Sequence, residues 1–140
     1  MRTAPSGAAG ENRVVVEQVE QARVAWVDTD AGGRIHFTAA FRWAEQAETA
    51  LMRRLGFLNE TWGDYPRRKV EAEYLKVLRF EDEIEIRLRV ENVGRTSVTY
   101  SWTITKDGEP HIKGRHTVVH VDSEGHPEPL AETFRASLDR

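Results

Sequence analysis

The sequence predicts an α+β fold in which one long helix lies against an antiparallel sheet. Three observations carry this. Between residues 38 and 55, Ala40, Phe41, Ala44, Ala47, Leu51 and Leu55 recur at spacings of three and four, one face of a helix. From Val70 onward the period changes to two and stays there to about Val121. A single helical stretch therefore interrupts a run of strands, giving the order β-α-β-β-β-β with the helix on one face of the sheet.

The elements follow in order. MRTAPSGAAGENR at the start has small residues and no apolar core segment, which reads as a flexible tail over 1–13 rather than a secretory signal. A single domain is expected over 14–140. Residues 14–28 are Val-rich and loosely alternating, with Val24 and Trp26 set against Ala25 and Val27, and read as the first strand. Asp28-Thr29-Asp30-Ala31-Gly32-Gly33 breaks it. Thr38 is the expected N-cap of the helix and Gly56 its stop. Five alanines at 39, 40, 44, 47 and 50 make the helix slim, which suits close packing on a sheet. Residues 57–68, with Trp62, Gly63 and Pro66, read as a loop.

Val70, Ala72 and Tyr74 then alternate with Glu71, Glu73 and Leu75, and Ile84, Ile86, Leu88 and Val90 with Glu83, Glu85, Arg87 and Arg89. The charged set reads as a wet sheet face. A turn is expected at Asn92–Arg95, before Val98, Tyr100, Trp102 and Ile104 alternate with Ser97, Thr99, Ser101 and Thr103. Asp107-Gly108 is a two-residue hairpin signal into a last strand over 109–121, and a short helix is expected at 132–138.

Composition narrows the chemistry. With no cysteine among the 140 residues, a disulfide framework, a thiolate metal site and a cysteine nucleophile are excluded. The pI of about 6.0 and net charge of −3 argue against nucleic acid as the main partner. No stretch is apolar over the length a membrane span needs, so a cytoplasmic domain is expected. His111, His116, His120 and His126 are scattered over the last strand and tail, a poor metal-ligand set. Trp26, Trp43, Trp62 and Trp102 read as core or interface. Five strands under one helix leave sheet edges, for which self-association is a common remedy.

The segment of chemical interest is Val24–Phe37. A carboxylate ends the strand, glycines follow, and a helix begins a few residues later. The start of a helix offers unpaired amide N–H groups and partial positive charge, the donors a carbonyl oxygen needs as it gains negative charge. An aspartate is ionised near pH 7 and suits nucleophilic attack or activation of water. Spacing alone favours a plain turn role for Asp30, because Asp beside Gly commonly bonds a backbone N–H two residues on.

The stretch V-x-W-x-D-T-D-A-G-G (Val24 to Gly33), with Phe37 and Phe41-Arg42-Trp43-Ala44-Glu45, resembles the 4-hydroxybenzoyl-CoA thioesterase family of the hot-dog fold. Tyr74–Asp82 and Gly94-Arg95-Thr96-Ser97 are also similar to it, so the likeness spans about residues 14–138. The resemblance implies a five-stranded sheet wrapped around one central helix, and an acyl-thioester hydrolase acting on coenzyme A or carrier-protein thioesters. It implies no cofactor, since coenzyme A belongs to the substrate, and a homodimer or homotetramer with the site between subunits. Asp30 matches the family's catalytic carboxylate, Asp28 the turn, and the Phe37 backbone amide the oxyanion donor. Such a donor is worth roughly 3 kcal/mol of barrier. Glu45 matches an acidic pocket position, and a solvated helix charge explains it as well. Arg95, with Thr96 and Ser97, matches a region that meets coenzyme A phosphates. Four positions depart from the pattern: Arg34 replaces an aliphatic residue, His36 an aromatic, Phe37 a Tyr or His, and Thr38-Ala39 a frequent Pro-Asn. His36 is a candidate extra base. A non-catalytic acyl-thioester-binding protein is the alternative. A hydratase on the same fold is a third reading, which the offset of His36 from Asp30 does not resemble.

Overall fold

Residues 15–61 and 64–139 are described by the structure, a computed structural model. The expected tail, Trp62 and Gly63 lie outside the described residues. Five strands form one antiparallel sheet: β1 (Glu17–Arg23), β2 (Arg67–Tyr74), β3 (Glu83–Val93), β4 (Ser97–Lys106) and β5 (Glu109–Val119), in the spatial order β1-β3-β4-β5-β2. The main helix α1 (Ala39–Leu55) crosses one face. A short α2 (Leu58–Thr61) follows it, and α3 (Glu132–Leu138) closes the chain. This is the hot-dog arrangement.

Packing follows the two periodicities. Ala39, Ala40, Trp43, Ala44, Ala47, Leu51 and Met52 of α1 are buried against Ile84, Ile86 and Leu88 of β3 and Val98, Tyr100, Trp102 and Ile104 of β4. Gly56 ends α1 at φ 87°, its N–H turned back to the Arg53 carbonyl. Asp107 and Gly108, at φ 52° and 76°, make the tight β4–β5 turn with positive φ at both central residues, as a twist-matched hairpin requires. Gly114 is needed for space. A Cβ there would stand 2.7 Å from Cε2 of the Trp102 indole and nearer still to Cζ2 and Cη2.

Several boundaries differ from expectation. The first strand ends at Arg23, and Trp26–Asp28 form a turn of 3₁₀ helix. The Asp28 carboxylate accepts the Ala25 N–H at 2.8 Å, and this local bond curls the chain where the Val-rich pattern suggested extension. Trp26 is accordingly not core: it is 71% exposed and packs edge-on against Phe80. The 57–68 loop contains α2, and β2 already begins at Arg67. The last strand stops at Val119, because the His120 N–H turns to the Thr96 carbonyl.

Candidate active site

The loop after β1 folds back on the segment between β2 and β3. Ile35 N–H bonds the Leu78 carbonyl at 3.0 Å, Arg34 and Arg79 form an antiparallel bridge, and His36 N–H reaches the Asp28 carbonyl. The fold-back leaves a cleft of about 330 Å³ lined by Asp30, Arg34, Phe37, Tyr74, Leu75 and Val77, among others. Asp30 and Phe37 are thus brought together in one cavity with largely apolar walls.

Asp30 is exposed, and its Oδ1 accepts the Gly32 N–H at 2.8 Å, the turn bond expected of Asp before Gly. That bond occupies one carboxylate oxygen; Oδ2 has no hydrogen-bond partner among the described residues. Asp28 is buried, and besides Ala25 it holds the Arg42 guanidinium at 3.0 Å. The two acids therefore sit in different surroundings, one locked into the turn and one facing the cleft.

At the start of α1, the Tyr74 hydroxyl donates to the Phe37 carbonyl, tying helix to β2. No acceptor takes the Phe37 N–H among the described residues. Thr38 is the N-cap by position, but its hydroxyl makes no capping bond and pairs with His36 Nδ1 at 2.8 Å. His36 Nδ1 also accepts the Thr38 N–H, so this imidazole serves the helix start. His36 stacks on Phe37 and is not part of the cleft wall.

Glu45 lies elsewhere. It lines a second cavity of about 290 Å³ with Thr38, Phe41, Arg42, Arg67, Val70 and His116. Arg95 and Thr96 lie in the β3–β4 turn and Ser97 opens β4; the Arg95 carbonyl accepts the Leu130 N–H. Tyr74 at the cleft pairs with Ile112, while Ser97 pairs with Val119. Seven residues of strand, roughly 23 Å, therefore separate these ends of the sheet, and one chain does not bring Arg95 to the cleft.

A buried polar network escaped the sequence reading. Glu48 and His116, both 3% exposed, meet at 2.8 Å (Oε1 to Nε2). Trp102 Nε1–H donates to His116 Nδ1 at 3.1 Å, and Arg67 grips Glu48 with two nitrogens at 2.7 and 3.1 Å. An acceptor at Nδ1 puts the His116 proton on Nε2, aimed at Glu48. Burial pushes the Glu48 carboxyl up, but the bonds from His116 and Arg67 outweigh it and hold the group below the usual range. The signal was present in part: Glu48 interrupts the buried face between Ala44 and Leu51, and His116 falls on the inward alternation between Ile112 and Val118. Arg67 gave none, because a bulge between Arg67 and Lys69 turns it to the face of buried Val118. Among the described residues no group of three or more His, Asp or Glu is placed to hold a metal ion.

The sequence profile of the thioesterase-like superfamily matches residues 24–138. A curated relative from Aquifex aeolicus is 32% identical over 89 residues, covering 61% of this chain and 70% of its own. Among solved structures, a hypothetical protein from Aquifex aeolicus superposes with a TM-score of 0.80 at 25% identity, covering 86% of this chain and 98% of that one. A thioesterase from Thermus thermophilus, solved with coenzyme A and zinc, superposes with a TM-score of 0.74 at 26% identity, covering 84% and 90%.

Proposed function

Because the chain belongs to the thioesterase-like superfamily, whose membership supports acyl-thioester hydrolysis in general, we propose that it cleaves acyl thioesters of coenzyme A or of a carrier protein. The observation that carries the reading is the cleft that Asp30 and Phe37 share, a carboxyl side chain and a helix-start residue whose amide no described protein group occupies. With the thioester carbonyl oxygen on the Phe37 N–H, Asp30 attacks the carbonyl carbon. The C–S bond breaks, the thiolate leaves, and water opens the mixed anhydride to free acid. Alternatively Asp30 takes a proton from the water that attacks directly. Both routes need the same donor and the same acid, and neither requires a cofactor or metal. His36 and Glu45 stand outside the wall of this cleft.

The working unit is a homo-oligomer in the cytoplasm. Edge strand β2 is exposed along nearly its whole length and carries Val70 and Tyr74 on the α1 side of the sheet, where the helix leaves them half uncovered, with Leu75 and Val77 just beyond. Two-fold pairing of β2 with its copy inverts the partner's sheet. Its β3–β4 turn then lies level with this cleft, three strand spacings or about 14 Å away. In that arrangement the partner's Arg95 meets the coenzyme A phosphates that this chain's own Arg95 cannot reach.

The test is thiol release from a panel of aromatic, short-chain, long-chain and β-ketoacyl thioesters by wild type and Asp30→Asn. Loss of the acid should cut kcat by about 10²- to 10⁴-fold with an unchanged melting temperature. Equal rates would remove Asp30 from the mechanism. Tight binding of acyl-CoA by wild type with no thiol release would make the chain a non-catalytic binding protein.

A further inference from the structure

The antiparallel bridge at the mouth of the cleft pairs Arg34 with Arg79. Residues directly opposite in such a bridge send their side chains to the same side, and like charges so placed repel. Both arginines are exposed, and no described carboxylate lies within ion-pair distance of either guanidinium. Neighbouring charges are spoken for: Lys76 by Glu109 at 2.7 Å, Lys106 by Asp82 at 3.0 Å, Arg42 by Asp28 at 3.0 Å, and Arg23 by Glu81 at 3.8 Å and Glu83 at 3.5 Å. Asp30 is the one further charge in the cleft wall, and its Oδ1 is taken by Gly32. Arg34 therefore brings an unmatched guanidinium to the wall of a mostly apolar cavity, and Arg79, likewise unmatched, stands across the bridge from it and next in the chain to wall residue Leu78.

We propose that Arg34 and Arg79 together bind the phosphate at the end of a phosphopantetheine arm, while the thioester lies at Phe37 and Asp30. The inference rests on the thioester-hydrolase reading. Geometry and chemistry agree with it. The backbone from Phe37 to Arg34 covers about 10 Å, and an arginine side chain extends the reach. The pantetheine arm is equivalent to about four residues of extended chain, about 14 Å. Its apolar and amide segments would run past Phe37, Leu75 and Val77. Two planar forks suit a phosphate, each binding two oxygens at once. Binding an anion also relieves the repulsion built into the bridge. The phosphate is common to coenzyme A and to carrier proteins.

Calorimetry with the full chain tests the site without reference to turnover. Wild type should bind 4′-phosphopantetheine about tenfold or more tighter than pantetheine. The gap should close in Arg34→Ala/Arg79→Ala and be kept in Arg34→Lys/Arg79→Lys in reduced form. Equal affinity for the two ligands in wild type, or a gap that survives the double alanine variant, overturns the assignment. Kinetics then identifies the carrier. In the double alanine variant the preference in kcat/KM for acyl-CoA over the same acyl group on N-acetylcysteamine should fall about tenfold, with an equal fall for acyl carrier protein. A loss confined to acyl-CoA would place the arginines on the nucleotide phosphates instead and refute the proposal. If wild type hydrolysed no thioester at all, the hydrolase reading would fail while calorimetry still decided the phosphate site.

Discussion

Replacing Gly114 by alanine is the sharpest test of how the inner face of the sheet is built. The added methyl group has nowhere to go. It would stand 2.7 Å from Cε2 of Trp102 and closer to two further ring carbons, where normal contact requires more than 3 Å. The indole cannot swing aside freely, because it is 2% exposed, packs edge-on against Phe41 at 5.8 Å, and donates to His116. Overpacking of this kind costs about 1–3 kcal/mol. Breaking the Trp102–His116 bond leaves a buried donor or acceptor unpaired and adds about 1 kcal/mol. The sum, about 2–4 kcal/mol, corresponds to a drop in melting temperature of roughly 6–16 °C for a domain of this size. Differential scanning calorimetry measures it directly, with tryptophan fluorescence reporting the displaced indole. A loss below about 0.5 kcal/mol would show that β5 and the indole part easily, and the account of a tightly packed inner face would be wrong.

Two further outcomes follow. Glu48→Gln should destabilise by about 2–4 kcal/mol at neutral pH, less than a fully buried pair because Arg67 is 31% exposed. The Glu48 carboxyl has a lowered pKa in the fold, so its stabilising contribution is complete above the unfolded value near 4.3 and is lost as pH falls through the folded value. The variant should therefore show a flatter acid limb in urea titrations below about pH 4.5, and an unchanged limb would mean Glu48 is not the group being titrated. Val70→Lys places a charge on the exposed β2 edge and should convert the oligomer to monomer in light scattering coupled to size exclusion; an intact oligomer would rule out β2 as the interface.

Much of the architecture was legible in the chain itself. The alternation of Ile84–Val90 and Val98–Ile104, the three-and-four spacing of α1, the Asp107-Gly108 turn and the terminal helix all reappear, because each is specified by neighbours in sequence. The misread start of Trp26–Asp28 has a local cause too, an Asp28 side-chain bond that no periodicity reports. Of the candidate site, spacing alone left Asp30 a turn residue; the resemblance pointed to Asp30 and the Phe37 amide, and both residues line one cleft. Their partners across it were not readable, since Tyr74 and Leu75 come from a segment almost forty residues away.

Local pattern was thus enough to say which stretches are helix and strand, which faces are apolar, and where an acid and an unpaired amide come within a few residues of each other. It took the folded chain to decide that Arg67 turns inward to Glu48, that His116 aims its Nε2–H at the same carboxylate, that Arg34 faces Arg79, and that Arg95 lies at the far end of the sheet. The physical reason is range. Hydrogen-bond propensity and hydrophobic period act over three or four residues, whereas burial, bulges and charge pairing depend on which strand lies alongside, a choice made by the packing of the whole sheet on α1.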